Sequence, residues 1–318
     1  MRTIRVKLLE NALNPNLKDY YQNNIFLFLL RKKYNVVLVD DNPELLIYTL
    51  SHNSHVNYRG CKKIFHTEEP GFWNKNNYQE FYPQEDRFNM SIKDADLVLS
   101  SYYLNNDQNI RFPSYLLYYY QMILDGRIDN FDSFFEYRKI EDESLFDRNF
   151  CLYMHRNNSN NKTGENLFRV NFLNKLNKYK KVDIINIGGS SYDKTQFVKK
   201  YKFCFGMENN NGDMSFYPTI KGENKYYDIG YTTEKILEPF TSHSIPLYWG
   251  NQLIYKEFNT NMFINWHDFN DDEAMIEKII ELDNNKEKYM QYLNGNIFKK
   301  DYICNIFDEF LEKIEKIV

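Results

Sequence analysis

Short apolar runs alternate along the chain with longer segments of helical periodicity, the pattern of an α/β protein. In the first half, Ile4–Leu9, Asn35–Asp41, Lys62–Pro70 and Asp94–Ser101 read as strands, with a helix through residues 17–34. Arg111–Leu124 opens a mixed segment, and a charged stretch follows over residues 136–149. The alternation then restarts. Phe150–Arg156, Val182–Gly189, Tyr201–Glu208 and Ser244–Gly250 read as strands, and Asn261–Phe269 as a strand or extended piece. Helices are predicted over Glu165–Tyr179, from Lys194 and over Thr232–Ser242; the tail from Asp271 is helical, with Ile276, Ile279, Ile280 and Leu282 as its apolar stripe. A chain of 318 residues exceeds what one core comfortably holds. The expected architecture is two Rossmann-like lobes, residues 1–145 and 146–318, facing a central cleft, with the charged stretch as their connection.

Composition narrows the partners. Forty basic against 44 acidic residues leave a net charge of −4, which offers no footprint for nucleic acid. The 27 tyrosines and 25 phenylalanines follow from an AT-rich codon bias, or supply stacking platforms for sugars. Cys61, Cys151, Cys204 and Cys304 stand far apart, without metal-site spacing, and predict free thiols in a reducing compartment. The first residues lack the apolar core of a signal peptide, and no run is long enough to span a bilayer. The location expected is cytoplasmic, or peripheral to a membrane, without a transmembrane anchor.

Two constellations carry candidate chemistry. The strand in "YKFCFGMENNNG" stops at Glu208 and Asn209. Ligands of parallel sheets bind beyond the carboxyl ends of strands, so both residues are placed at a cleft. In "GYTTEKILEPFTSHSIPLYWGN", Gly230 precedes Tyr231, Thr232 and Thr233, and a helix is predicted to begin there. Thr232 or Thr233 is its expected cap, leaving amides for a phosphate; Lys235 adds a point charge, and Glu234 an acceptor for ribose hydroxyls.

These stretches, followed by "FINWHDF", resemble the α-1,3-fucosyltransferases of glycosyltransferase family 10, whose hallmark is an F-x-x-E-N strand end, a Y-V-T-E-K segment, a helix and an Ile-Pro strand. The resemblance spans residues 201–269. It implies a GT-B fold whose C-terminal lobe binds GDP-fucose and whose N-terminal lobe binds a glycan acceptor. It assigns Glu234 to the ribose and Lys235 to the diphosphate, with Tyr231 and Asn209 lining the donor site. Arg169, in "ENLFRVNFLNKLN", corresponds to a family arginine facing the diphosphate.

The family's general base stands at a strand end reading roughly F-x-T-G-E-N, where this chain has "IFHTEEP". Position by position the base is Glu69, with Glu68, which replaces the glycine, in reserve. Adjacent carboxylates raise each other's pKa, which suits a base near neutrality. His66, just before them, is a candidate for touching the acceptor or for packing. His155 and Arg156, at another strand end, are candidates for approaching phosphate. No DxD sequence stands where a metal-dependent enzyme needs one, so no metal and no cofactor are expected, with cationic groups stabilising the leaving diphosphate. The activity implied is inverting transfer of fucose from GDP-fucose to GlcNAc of a glycan. One departure is the 21-residue insertion over residues 210–230, where relatives have a handful. It keeps a different nucleotide sugar open as the alternative, beside a catalytically silent glycan-binding relative.

Overall fold

The computed structural model describes residues 1–9, 23–49, 53–67, 93–101, 103, 107–155, 165–187, 194–209 and 230–318. The chain forms two compact units. The first comprises Met1–Gln121 and Asp301–Val318, and the second Met122–Lys300.

The first unit is built on a six-stranded parallel sheet of order β2-β1-β3-β4-β5-β6. Its strands are β1 (Arg2–Leu8), β2 (Tyr34–Leu38), β3 (Leu45–Tyr48), β4 (Lys62–His66), β5 (Leu97–Ser100) and β6 (Asn109–Arg111). All four residues of β3 and of β5 are buried, as expected of central parallel strands covered on both faces. The edge strand β2 leaves Val37 and Leu38 about two-fifths exposed. Helix α1 (Ile25–Leu30) starts at Asn24, whose side chain accepts the Leu27 N–H at 2.9 Å. Helix α2 (Ser114–Leu124) follows β6.

The second unit holds a five-stranded parallel sheet of order β11-β10-β9-β7-β8. Its strands are β7 (Asn149–His155), β8 (Val182–Asn186), β9 (Tyr201–Phe205), β10 (Ile245–Tyr248) and β11 (Ile264–Asn265). Around it lie α3 (Glu165–Tyr179), α4 (Thr195–Val198), α5 (Leu237–Thr241), α6 (Asp272–Asn284) and α7 (Lys286–Leu293). The core joins Phe172 and Leu176 of α3, Phe203 and Phe205 of β9, Leu247 of β10 and Ile279 of α6. Renumbered within the unit, the strand order is 2-1-3-4-5, a doubly wound sheet whose topological switch lies between β7 and β9. Pro246 is tolerated in β10 because β11 pairs only from Leu247 onward. Two parallel α/β units of Rossmann-like order are the make-up expected of the GT-B type.

Three departures from the sequence reading have physical reasons. The charged stretch 136–149 belongs to the second unit and is no linker. Arg138 pairs its backbone with Gly295 in both directions at 3.0 Å and donates through its guanidinium to the Phe240 carbonyl at 2.7 Å. Arg148 donates to the Ser242 carbonyl at 2.7 Å, so both cations cover the carbonyl end of α5. Second, the final helix, α8 (Lys300–Ile317), packs into the first unit, although the sequence assigned it to the second lobe. Its buried Phe310 lies 6.3 Å from Phe26 and 6.0 Å from Phe112, centroid to centroid. Third, the helix predicted over Thr232–Ser242 shrinks to Leu237–Thr241. Among the described residues no helix is long and apolar enough to cross a membrane, and the four cysteines are free.

Candidate functional site

The candidate site lies in the second unit, beyond the carboxyl ends of β9 and β10. After β9 the chain runs through Gly206 and Met207 to Glu208, whose N–H donates to the Trp249 carbonyl at 2.7 Å. A Cβ on Gly206 would stand 3.1 Å from the Lys235 carbonyl, so the absent side chain admits the Thr233–Lys235 segment against the strand. A Cβ on Gly250 would lie 2.6 Å from Glu208 Cγ, so this glycine clears the space that the Glu208 side chain fills.

Glu208 is fully buried and gathers three donors. The Thr233 N–H donates to Oε1 at 2.6 Å, the Thr233 hydroxyl to Oε2 at 2.8 Å, and Lys235 Nζ to Oε2 at 3.3 Å. Lys235 also donates to Thr233 Oγ1 at 3.1 Å. Burial pushes the Glu208 carboxyl up, against the pull of Lys235 and of the Thr233 N–H. Burial also opposes the charge on Lys235, but Glu208 and Glu234 outweigh it and hold this ammonium above its ordinary pKa.

The geometry revises two expectations. Thr233 is no helix cap, and its amide is not left for a phosphate; Glu208 takes it. Glu208, read as a residue at the cleft, instead points inward and fixes the segment that carries Lys235. A second tie comes from Thr232, also fully buried, which donates to the Gly230 carbonyl at 3.1 Å and accepts from Asn251 Nδ2 at 3.2 Å. Tyr231 is buried beside it.

Arg169 projects from α3 and donates to Asn209 Oδ1 at 2.9 Å. Its neighbour Phe168 stacks on Trp249 at 4.4 Å between centroids, which pins this turn of α3 to the end of β10. The positive charge of Arg169 works weakly against the charge on Lys235. Glu234 faces Lys194 at 3.6 Å. Burial would raise its pKa, but Lys235 first and Lys194 second hold it below the ordinary value.

The structure thus brings together Arg169, Glu208, Asn209, Thr233, Glu234 and Lys235 from the sequence reading. It adds Lys194, Trp249 and Asn251, to which no role was given, and makes Thr232, expected as a cap, a buried tie instead. Only Lys194 had a sequence signal: carboxylates at Glu234 and Glu238, one helical turn apart, call for a counter-cation.

The first-unit candidates fare differently. Glu68 and Glu69 lie outside the described residues, as do Arg156 and most of the insertion 210–230. His66 is described at the end of β4 and is buried, edge-on to Phe26 at 5.1 Å. Neither ring nitrogen has a hydrogen-bond partner among the described residues, and burial pushes its pKa down to about 3. It packs as a core ring.

Comparisons with known proteins bear on the same region. Residues 153–305 match the family model described as glycosyltransferase family 10 (fucosyltransferase), C-terminal. An α-(1,3)-fucosyltransferase of Helicobacter pylori is 26% identical over 87% of this chain, which spans only 56% of that relative's length. A relative in Acanthamoeba polyphaga mimivirus is 25% identical over 85% of this chain and 47% of its own length. A crystal structure of an α1,3-fucosyltransferase superposes with a TM-score of 0.69 at 21% identity, covering 99% of this chain and 90% of that one. A crystal structure of an α1,3-fucosyltransferase with GDP-fucose superposes with a TM-score of 0.64 at 20% identity over the same shares. The family 10 similarity thus falls almost wholly on the second unit, and the fold is similar to that of the solved α1,3-fucosyltransferase.

Proposed function

We propose that this protein transfers L-fucose from GDP-fucose, with inversion, to a hydroxyl of GlcNAc, O3, in a glycan acceptor. The observation that carries the reading is the arrangement of Arg169 and Lys235 within the region similar to family 10. Arg169 is held by Asn209 and Lys235 by Glu208 and Thr233, so both cations are oriented before any ligand arrives. Preorganised positive charge of this kind stabilises a diphosphate leaving group without reorganisation and without a metal ion. Glu234, held ionised, accepts hydrogen bonds from ribose hydroxyls. In the proposed single displacement Glu69, with Glu68 in reserve, takes the acceptor hydroxyl's proton. The oxygen then attacks the anomeric carbon as the bond to the GDP oxygen breaks.

A donor-by-acceptor screen tests this, with GDP-fucose and UDP-sugars against GlcNAc and lactosamine-type glycans and mass-spectrometric detection. Fucosylated product is expected from GDP-fucose alone. Glu69→Ala is expected to abolish transfer while keeping GDP binding, and Glu68→Ala to retain transfer. Product from a UDP-sugar and none from GDP-fucose would replace the reading with a different nucleotide sugar, the alternative that the insertion 210–230 favours.

A further inference from the structure

Glu234 and Glu238 stand one turn apart and are largely buried, their side chains 19% and 13% exposed. Like charges at that spacing repel, and burial deepens the penalty for holding both ionised. One group answers both: Lys194 Nζ lies 2.7 Å from Glu238 Oε1 and 3.6 Å from Glu234 Oε1. Its backbone is anchored, because the Lys194 carbonyl accepts from Phe197 and Val198 at 3.0 and 3.1 Å and so begins α4. Helix α4 is tied to the end of α5 through Ser242 Oγ, which donates to the Thr195 carbonyl at 3.4 Å. The charged groups around Glu234 are Lys194 from α4, Glu238 on α5, Glu208 beyond β9, and Lys235 beside it.

We propose that Lys194 is a positioning residue for nucleotide recognition: by bridging Glu234 and Glu238 it holds the Glu234 carboxylate ionised and aimed at the ribose hydroxyls. This rests on the donor-site reading above and adds a residue to it. An ionised carboxylate only accepts hydrogen bonds, which matches a pair of donor hydroxyls; a protonated one loses an acceptor position. Without Lys194, the like-charged pair lowers its repulsion by taking up a proton or swinging one carboxylate away. Either event spoils the ribose contact and leaves the diphosphate contacts of Arg169 and Lys235 in place.

Calorimetric titration with GDP and with 2′,3′-dideoxy-GDP separates these contacts. The wild-type protein is expected to prefer GDP by about tenfold or more, the worth of hydrogen bonds to a charged group. Lys194→Met is expected to lose about tenfold in GDP affinity and little in dideoxy-GDP affinity, so the preference collapses. Lys194→Arg should keep the preference, and Lys194→Met with Glu238→Gln should restore it by removing the repulsion. Equal weakening of both ligands in Lys194→Met, or no rescue by Glu238→Gln, would overturn the proposal and leave Lys194 a scaffold residue. If Lys194→Met does not fold, the double variant decides: loss of the ribose preference there has the same meaning. A wild-type protein that binds UDP and not GDP sinks only the guanosine reading, and the variants are then compared on UDP and its dideoxy analogue. A wild-type protein that binds no nucleoside diphosphate sinks both.

Discussion

At the scale of single residues, burial decides what each polar group does. Glu208 and Glu234 are both carboxylates beside Lys235, yet one is internal and the other part-exposed. The internal one organises the segment, and the part-exposed one is the group proposed to meet a ligand. His66 offers a direct test of burial. Its ordinary pKa of 6.5 is pushed down to about 3, so the unfolded chain takes up a proton that the folded chain refuses. The associated stability is whole above pH 6.5 and is lost as the pH falls towards 3. The slope is about 1.4 kcal/mol per pH unit over that window. In chemical denaturation at pH 7, 6 and 5, His66→Phe should show a shallower acid loss by that amount; parallel slopes in the two proteins would refute the assignment. Much of the site was legible, because Glu234, Lys235, Asn209 and Arg169 sit in a recognisable order. The inward turn of Glu208 was not. All five residues of β9 are buried, so alternation gives no clue to which face a residue at the strand's end will take.

At the scale of elements, the same ambiguity explains what was missed. β3 is four continuous apolar residues and β6 only three residues, too short for periodicity to tell strand from helix. The predicted helix at Thr232 failed because tertiary bonds to Glu208 and Asn251 claim the threonines before the backbone can curl. Helix α8 was expected only as part of a helical tail of the second lobe, and not as part of the first unit. Its stripe of Ile303, Phe307, Phe310 and Ile314 is buried, and Phe310→Ala should cost about 3–5 kcal/mol as a large-to-small core change. Thermal melts should fall by about 10 °C, with hydrogen exchange rising first in the first unit. Faster exchange confined to the second unit would contradict the placement of this helix.

At the scale of the whole molecule, the groups proposed for the donor and the candidate base fall in different units. The groups assigned to the nucleotide all lie within Met122–Lys300, while Glu69 falls within Met1–Gln121. GDP at a hundredfold excess over its Kd should stabilise the state that binds it by about 2.7 kcal/mol. Hydrogen exchange should then slow in β9 and β10 and stay unchanged in β1 and β3. Equal protection of both sheets would mean that the nucleotide is read by more than the second unit. Lobe number was legible from the twofold run of strands and helices. The return of α8 was not, because it is a contact between segments nearly 300 residues apart.

That return reverses the usual order of maturation on the ribosome, where N-terminal units close first. Residues 122–300 are contiguous and emerge as a complete unit, whereas the first unit waits for residues 301–318 to cover Phe26 and Phe112. Translation is thus expected to complete the second unit before the first. The part synthesised first is expected to be the last to become native, its aromatic face uncovered until residues 301–318 emerge.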